Sequence, residues 1–249
     1  MDALLLVLVG VWCFTTALMG GLVGLVLGNI RLPVLVLVAS SPAAGAGANI
    51  GVSAVSAFAA AFAHIRAGRM DWRLFAWMAP PSMVGAVIGG LLSGAVPSNA
   101  LLIAIGVTLV VFAVDLLRPK PNGRQPEAGR VSARAAILTG ALIGLLGGFV
   151  GLILGALRLP ALLRFGADPF RAVGTNAAVG FALGVAGVFG HLPAGVDWSL
   201  LGVGAATSVP GAILGARLTG RLDEPQLLRA VGLVLLLAGA AMIVQGIVY

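Results

Sequence analysis

A fourteen-residue segment occurs twice in this chain, each time inside a long apolar run. Residues 20–33 read GGLVGLVLGNIRLP and residues 147–160 read GGFVGLILGALRLP, with ten positions identical. Further matches continue at the same spacing, including Asn49 with Asn176. The chain is therefore built from two copies of one unit. Membrane proteins made in this way commonly hold a transported solute between the copies.

The composition indicates helices in a lipid bilayer. Hydrophobic residues make up 60% of the chain and charged residues 9%, about a third of the charged fraction usual in a soluble domain. Several apolar runs reach the ~20 residues that a helix needs to cross ~30 Å of hydrocarbon. The 37 glycines suit close approach between helices in lipid. We therefore predict an all-α polytopic membrane protein with little sequence left for a soluble domain.

The formal net charge of +7 has a better explanation than nucleic-acid binding. Most lysines and arginines fall in short loops between apolar runs, where membrane topology accounts for them. Cys13 is the single cysteine, so no internal disulfide is expected. The N-terminus lacks the basic region of a signal peptide, and we expect the first apolar run to be retained.

Loop charge predicts that the two copies face opposite sides of the membrane. Residues 64–73 carry three arginines, whereas the matching residues 191–198 carry no lysine or arginine. Conversely, residues 96–99 are uncharged, whereas the matching residues 217–229 carry three arginines. Because basic loops stay on the cytoplasmic side, the repeats are predicted to be inverted.

The predicted domains follow from this inversion. Residues 1–117 form transmembrane repeat 1, residues 118–134 a cytoplasmic basic linker, and residues 135–249 the inverted repeat 2. Each repeat needs an odd number of crossings, which we interpret as a broken or re-entrant helical hairpin plus three transmembrane helices. The bend of each hairpin is placed in the repeated segment, where protein or a polar cavity must cover the freed backbone groups. Six spans plus two hairpins, or ten spans, both fit.

Arg31 and Arg158 occupy matching positions inside the repeated segment. An arginine at bilayer depth costs at least ~2.5–3.5 kcal/mol and normally has a partner. All eight acidic residues fall in loops or at segment ends. Two guanidinium groups without a nearby carboxylate would make a receptive place for an oxyanion. Alternatively, each arginine snorkels to an interface or caps backbone carbonyls at the helix break.

Asn49 and Asn176 lie near the start of long apolar helices, beside small residues. A helix that begins inside the membrane presents free N–H groups, which bind anions. Thr175 and Ser53 would complete such a pocket. The alternative is an N-cap or an interhelical hydrogen bond. The remaining substrate-binding candidates come from the repeated segment and are Gly28, Gly155, Pro33 and Pro160.

Two histidines, His64 and His191, precede the Asp-Trp pairs that contain Trp72 and Trp198. We interpret them as ordinary residues of the membrane surface, where the tryptophans would join an aromatic belt. Histidines on opposite sides cannot ligate one metal, and we expect neither a metal site nor a cofactor.

Two glycine pairs at a spacing of four, Gly85 with Gly89 and Gly211 with Gly215, look like close-packing helix faces. No Walker, Gly-x-Ser-x-Gly or His-Glu-x-x-His motif occurs, so we do not expect an enzyme.

Each half contains the same motifs in the same order: a Gly-rich segment ending in proline, a GAN or GTN element, a histidine before Asp-Trp, and Gly-x3-Gly. This ordered set resembles the TauE/SafE (sulfite exporter) family over nearly the whole chain. The resemblance implies a multi-pass protein of the bacterial plasma (inner) membrane that moves sulfite, sulfonates or related small organic anions. It places transport in residues 20–33, 47–49, 147–160 and 174–176. Relatives often have three glycines before the proline, where this chain has GNIR and GALR.

We therefore expect a secondary transporter that exports a small anion by alternating access at the repeat interface. Export of an anion from a negative interior needs no coupling ion. An anion channel and a non-transport membrane assembly subunit are the alternatives. The expected partners are the small anion and the lipid bilayer, without nucleic acid, and the Gly-rich faces would permit a homodimer.

Overall fold

The computed structural model describes residues 3–40, 42–91, 98–118, 132–150, 153–191 and 196–248. All regular secondary structure in these ranges is helical, as predicted. In chain order the helices are α1 (Ala3–Val23), α2 (Gly28–Val38), α3 (Pro42–Arg66), α4 (Trp72–Leu91), α5 (Ser98–Leu117), α6 (Ala133–Val150), α7 (Gly155–Arg164), α8 (Pro169–His191), α9 (Trp198–Thr219) and α10 (Glu224–Val248).

The first copy of the repeated segment contains the predicted helix break. Helix α1 ends at Val23, and Gly24 follows with a φ of 66°, which favours glycine. The Leu25 amide donates to the Gly20 carbonyl at 2.8 Å and so closes the last turn. Helix α2 then begins at Gly28, and α7 begins at the matching Gly155. The corresponding residues 151–152 of the second copy lie outside the described ranges.

The helices that follow the two breaks are short. Helix α2 has 11 residues and α7 has 10. At ~1.5 Å per residue they cover about half of the ~30 Å of hydrocarbon. In each half, a long helix, α1 or α6, is therefore followed by a half-length one. Five described helices are long and apolar enough to span a membrane, over Leu4–Val23, Gly47–Arg66, Pro169–Val188, Trp198–Thr219 and Glu224–Val248.

The two halves of the chain interleave. The most extensive helix contacts all join one half to the other: α1 packs along α9, α4 along α6, and α5 along α10. Helix α3 packs on α8 in the same way. In the repeat, α1 corresponds to α6 and α4 corresponds to α9. The contact of α1 with α9 in one direction is therefore the contact of α6 with α4 when the two halves are exchanged. The contacts thus follow a two-fold exchange between the halves.

Corresponding helices α3 and α8 pack antiparallel. A methyl group built on Gly184 would lie 2.8 Å from the Ala54 Cα, and one on Gly187 would lie 3.2 Å from a methyl of Ile50. Contacts that advance along α8 therefore recede along α3.

Corresponding helices α5 and α10 run in opposite directions as well. Gly239 lies against the Gly106 carbonyl, whereas the later Gly246 lies against the earlier Asn99 carbonyl. The two pairs of corresponding helices that contact each other, α3 with α8 and α5 with α10, are thus both antiparallel.

Glycine faces allow the closest contacts between the halves. A methyl group on Gly85 would collide with the Ala141 carbonyl of α6, and one on Gly211 with the Phe14 carbonyl of α1. Gly215 faces a carbonyl of α1 in the same way. The predicted close-packing role is confirmed for these three glycines, while the surroundings of Gly89 lie outside what the structure describes.

Aspartates cap the helices instead of pairing with arginines in the membrane. In each case the carboxylate accepts a hydrogen bond from a backbone N–H three residues later, at 2.8–3.1 Å. Carboxylates favour this position because the first N–H groups of a helix have no partner within it. The four residues are Asp71, Asp168, Asp197 and Asp223.

Basic loops gather at one end of the helix bundle. The Arg69 Nη1 donates to the Ala216 carbonyl in the last turn of α9 at 2.8 Å. The Asp71 amide donates to the Thr175 hydroxyl in the first turns of α8 at 2.9 Å. The loop between α3 and α4 therefore lies beside the start of α8 and the end of α9, where two other groups of arginines occur.

The opposite end of the bundle joins the start of α3 to the start of α9. The Asp197 amide donates to the Ala44 carbonyl at 3.1 Å, and the Ser40 amide donates to the Asp197 carboxylate at 3.4 Å. The described residues around this junction, 38–40, 42–45 and 196–200, contain no lysine or arginine. The bundle thus has a basic end and an end without basic residues.

Candidate functional site

Arg31 lies in α2 and is 1% exposed. Its Nε donates to the Asn49 side-chain oxygen at 3.0 Å, and its Nη2 donates to the Ser53 hydroxyl at 2.6 Å. A longer contact of 3.5 Å joins Nη2 to the Asn49 carbonyl. The Nε–H and one Nη2–H project from the same edge of the planar guanidinium. That edge is therefore fully used by the first half of the chain.

Arg158 lies at the matching position in α7 and is 0% exposed. Its Nη1 donates to the Asn176 side-chain oxygen at 3.2 Å. Its Nε and Nη2 have no hydrogen-bond partner among the residues that the structure describes. The two arginines thus occupy equivalent places. The edge formed by Nε and Nη2 is hydrogen-bonded in Arg31 but has no partner among the described residues in Arg158.

A substitution between the repeats and a different orientation of the guanidinium together account for this difference, because Asn49 accepts from Nε of Arg31 whereas Asn176 accepts from Nη1 of Arg158. At the spacing of 127 that relates the repeats, Ser53 corresponds to Gly180, which has no hydroxyl to offer. A methyl group built on Gly180 would lie 3.1 Å from a methyl of Val26, in the break of the first half. The atoms nearest to that position are therefore apolar, and none of them replaces the Ser53 hydroxyl as a partner for Nη2.

The two asparagines hold the starts of the short helices. The Asn49 amide nitrogen donates to the Gly28 carbonyl at 3.0 Å. The Asn176 amide nitrogen donates to the Gly155 carbonyl at 3.1 Å and to the Gly24 carbonyl at 2.7 Å. Both side chains thus make the interhelical hydrogen bonds that the sequence left as an alternative.

The glycines at the start of α2 and α7 permit this close approach. A methyl group on Gly28 would lie 2.8 Å from the Ser53 hydroxyl oxygen, and one on Gly155 would lie 3.2 Å from the Asn176 amide nitrogen. Pro160 is buried in α7. The side chain of Pro33 lies outside the described residues.

Thr175 is buried beside Asn176, and the structure engages it elsewhere. Its hydroxyl accepts from the Asp71 amide at the start of α4. Thr175 thereby links the two halves instead of bonding to Arg158.

The snorkelling interpretation of the arginines is wrong, because both guanidinium groups are interior. Each is bonded to the asparagine of its own half. Among the described residues, neither Arg31 nor Arg158 has a hydrogen bond to a carboxylate.

The two arginine–asparagine clusters lie at different levels of the bundle. Gly187 of α8 packs beside Ile50, next to Asn49, whereas Gly174 packs beside His64. Fourteen residues of helix α3 separate those contacts, a rise of about 20 Å. Asn176, two residues beyond Gly174, is therefore far along the bundle from Asn49. The two guanidinium groups are therefore bonded to asparagines at different levels of the bundle.

His64 was expected at the membrane surface, and that expectation is wrong. Its side chain is 0% exposed, with Nε2 3.0 Å from the Gly21 carbonyl in the last turn of α1. Gly174 packs against its Cβ at the end of α3, so α8 covers the imidazole. Trp72 and Trp198 are 61% and 66% exposed, as a membrane-surface role requires.

No group of three metal-ligating side chains occurs among the described residues. The His191 side chain lies outside them.

Two features of the site escaped the sequence analysis. One is the hydrogen bond from Asn176 to Gly24 in the other half, which no local pattern predicts. The other is the free edge of Arg158. A residue-by-residue alignment of the repeats would have found one of its two causes, because it sets Ser53 against Gly180.

Comparison with known proteins places this geometry in a family. Residues 8–242 match the family described as Sulfite exporter TauE/SafE. A "Probable membrane transporter protein YunE" of Bacillus subtilis strain 168 is 25% identical over 282 residues, covering 99% of both chains. A "Probable membrane transporter protein" of Xylella fastidiosa strain Temecula1 is 26% identical over 238 residues, covering 87% of this chain and 89% of the relative. No solved structure matches this chain. With the family matched over almost its entire length, this multi-pass helical chain belongs to the sulfite exporter TauE/SafE family of membrane transporters.

Proposed function

We propose that the protein is a secondary transporter that exports a small anion, such as sulfite, a sulfonate or a related organic acid, across the bacterial inner membrane. The observation that carries this proposal is the buried Arg158, whose Nε and Nη2 have no partner among the described residues. A buried cation with free donors binds an anion more favourably than any neutral solute, because each hydrogen bond is assisted by charge.

Alternating access would follow from two inverted repeats, residues 1–117 and 135–249, joined by the linker at 118–134. The antiparallel packing of α3 on α8 and of α5 on α10 supports this proposal. In transporters of this kind, one repeat rocks against the other around a site between them. The hydrogen bond between Asn176 and Gly24 lies at such a boundary and would be made or broken as the halves move.

The energetics favour export without a coupling ion. With the cell interior negative, each exported negative charge gains ~2.3 kcal/mol per 100 mV. Four aspartates, Asp71, Asp168, Asp197 and Asp223, cap helix ends, so these carboxylates are engaged away from the two arginines. A proton- or sodium-coupled carrier usually keeps a carboxylate in the membrane for its co-ion.

The substrate class is proposed from the family and from the site. The family description names sulfite export, and the relatives are named as membrane transporters without a substrate. Sulfite, sulfonates and carboxylates all present at least two oxygens to a guanidinium edge. We therefore propose small oxyanions as the class and leave the member to experiment.

Reconstituted proteoliposomes test the proposal. Vesicles are loaded with labelled sulfite or sulfoacetate, and a potassium gradient with valinomycin makes the lumen negative. We expect efflux that rises with the imposed potential. Efflux that does not respond to voltage would count against uniport of a charged species, and single-channel currents in planar bilayers would identify a channel instead.

Arg158→Gln provides the matched comparison. It removes the buried charge while keeping an uncharged polar side chain, and we expect efflux to fall to the background of empty vesicles. Arg164→Gln is the control, because Arg164 is an exposed arginine of the same helix. Equal efflux from both variants would contradict a role for the buried guanidinium.

A further inference from the structure

We propose that the protein has one oxyanion contact, the edge of Arg158 formed by Nε and Nη2, and that Arg31 is a structural residue. The inference rests on the proposed function and narrows it. Although the repeats place an arginine at each of two equivalent positions, the Nε and Nη2 donors lack a partner among the described residues in Arg158 alone.

The edge of Arg31 is already filled from within its own half. The Asn49 side-chain oxygen takes Nε at 3.0 Å, and the Ser53 hydroxyl takes Nη2 at 2.6 Å. These two oxygens stand where the two oxygens of a bound anion would stand. Arg31 is thus held by an internal substitute for the ligand, and a solute would have to displace both groups.

The same edge of Arg158 is free because Asn176 accepts from Nη1 and because Gly180 has no hydroxyl for Nη2. Asn176 bonds to Nη1 on the other side of the guanidinium and so leaves Nε and Nη2 together. Buried donors on a charged group destabilise a fold unless a partner satisfies them. Asn176 also fixes the orientation of the group, which lowers the entropic cost of binding a ligand there.

The geometry of the edge selects the class of ligand. Two nearly parallel N–H groups match two oxygens of a carboxylate, sulfonate or sulfite, whereas a halide offers one centre to both.

The edge also lies toward the basic end of the bundle. Asn176 belongs to the same part of α8 as Thr175 and Gly174, which contact the loop carrying Arg69. Positive charge at that end raises the local concentration of anions. Under the proposed topology this is the cytoplasmic end, from which an exporter takes its solute.

Exchange of the Ser53 and Gly180 positions tests the inference. Gly180→Ser gives the second half the hydroxyl that Ser53 supplies to the first, and Gly180→Ala adds only the carbon. Thermal unfolding of the detergent-purified protein is followed with increasing methanesulfonate, acetate or chloride, because a ligand of the folded state raises Tm. Sodium chloride makes up the difference in each titration, so the ionic strength stays constant and the oxyanions are compared with chloride directly.

We expect the wild type and Gly180→Ala to be stabilised by methanesulfonate and acetate more than by chloride. Gly180→Ser should lose about tenfold or more in apparent affinity relative to Gly180→Ala, because its hydroxyl occupies Nη2. Ser53→Ala should keep wild-type affinity at the Arg158 site. A second, weaker site in this variant would arise because the substitution frees Nη2 of Arg31.

The outcomes separate the two proposals. If no oxyanion stabilises the wild type, anion transport itself is overturned. If the wild type responds but Gly180→Ser and Gly180→Ala bind equally, the assignment to the free edge of Arg158 is overturned, and the proposed function stands. Loss of binding in Ser53→Ala with retention in Gly180→Ser would assign the contact to Arg31 instead.

Discussion

The side-chain amide of Asn176 donates a hydrogen bond of 2.7 Å to the Gly24 carbonyl, across the boundary between the two halves of the chain. The same nitrogen donates to the Gly155 carbonyl, and the oxygen of the amide accepts from Arg158. One side chain thus joins the helix break of the first half, the start of α7 and the buried cation. An anion that binds to Arg158 would therefore affect these three contacts of Asn176.

A carboxylate at position 176 should compete with the solute. Asn176→Asp places a negative charge at the oxygen that accepts from Arg158 and removes both donations to backbone carbonyls. We expect the affinity for methanesulfonate to fall at least about tenfold, since an internal ion pair replaces the free cation. Tm titration of the purified variant measures this.

The matched variant in the other half is Asn49→Asp. It stands beside Arg31, whose edge is already occupied, so the change in anion affinity should be much smaller. Equal losses in the two variants would show that the clusters bind anions equivalently and would contradict the asymmetry between them.

The glycine contacts between α1 and α9 should be intolerant of added volume. A methyl group on Gly215 would collide with the Leu18 carbonyl, whereas one on Gly202 meets nothing within 4 Å. We expect Gly215→Ala to destabilise the protein by about 1–3 kcal/mol through overpacking. Gly202→Ala, on the exposed face of the same helix, should be neutral or slightly stabilising. Thermal unfolding in detergent compares the two, and equal Tm values would show that the helices do not pack at Gly215.

Single cysteines should report the two ends of the bundle. In a Cys13→Ala background, Ser40→Cys and Ser199→Cys lie at the end without basic residues, and Arg66→Cys and Arg221→Cys lie at the basic end; all four positions are exposed. We expect an impermeant maleimide to label the first pair in intact cells and the second pair only after permeabilisation. Labelling of both pairs from outside would contradict the proposed topology.

The imidazole of His64 should contribute to stability. Its Nε2 lies 3.0 Å from the Gly21 carbonyl, an acceptor in the last turn of α1 that has no later amide within its helix. We expect His64→Leu to cost about 1–3 kcal/mol, because it leaves that buried carbonyl unpaired. His64→Gln can still donate and should lose less. If Tm falls equally in both, the stabilisation comes from the shape of the ring and not from its hydrogen bond.

Much of the local structure was predictable because it depends on residues close together in sequence. The break between α1 and α2 follows from the glycines of the repeated segment, and Gly24 adopts the positive φ that ends α1. The Asp71 and Asp197 carboxylates each accept from the backbone N–H three residues later, within one helical turn. The burial of Arg31 and Arg158 follows from their place in apolar runs.

Relationships between distant elements were less accessible. His64 looked like a surface residue because it ends a segment, yet Gly174, more than a hundred residues away, covers it. The separation of Asn49 from Asn176 depends on the antiparallel crossing of α3 and α8, which a repeat alignment does not contain. The free edge of Arg158 required both the orientation of the guanidinium and the absence of a hydroxyl at Gly180.

The exchange of helices between halves has a consequence for biosynthesis. When a ribosome has completed only α1 to α5, the glycine faces of α1 and α4 have not yet met α9 and α6, because those helices are still untranslated. The early product must wait in the bilayer with its best packing surfaces open to lipid. A prematurely terminated first half would be a substrate for membrane proteolysis instead of a stable half-transporter.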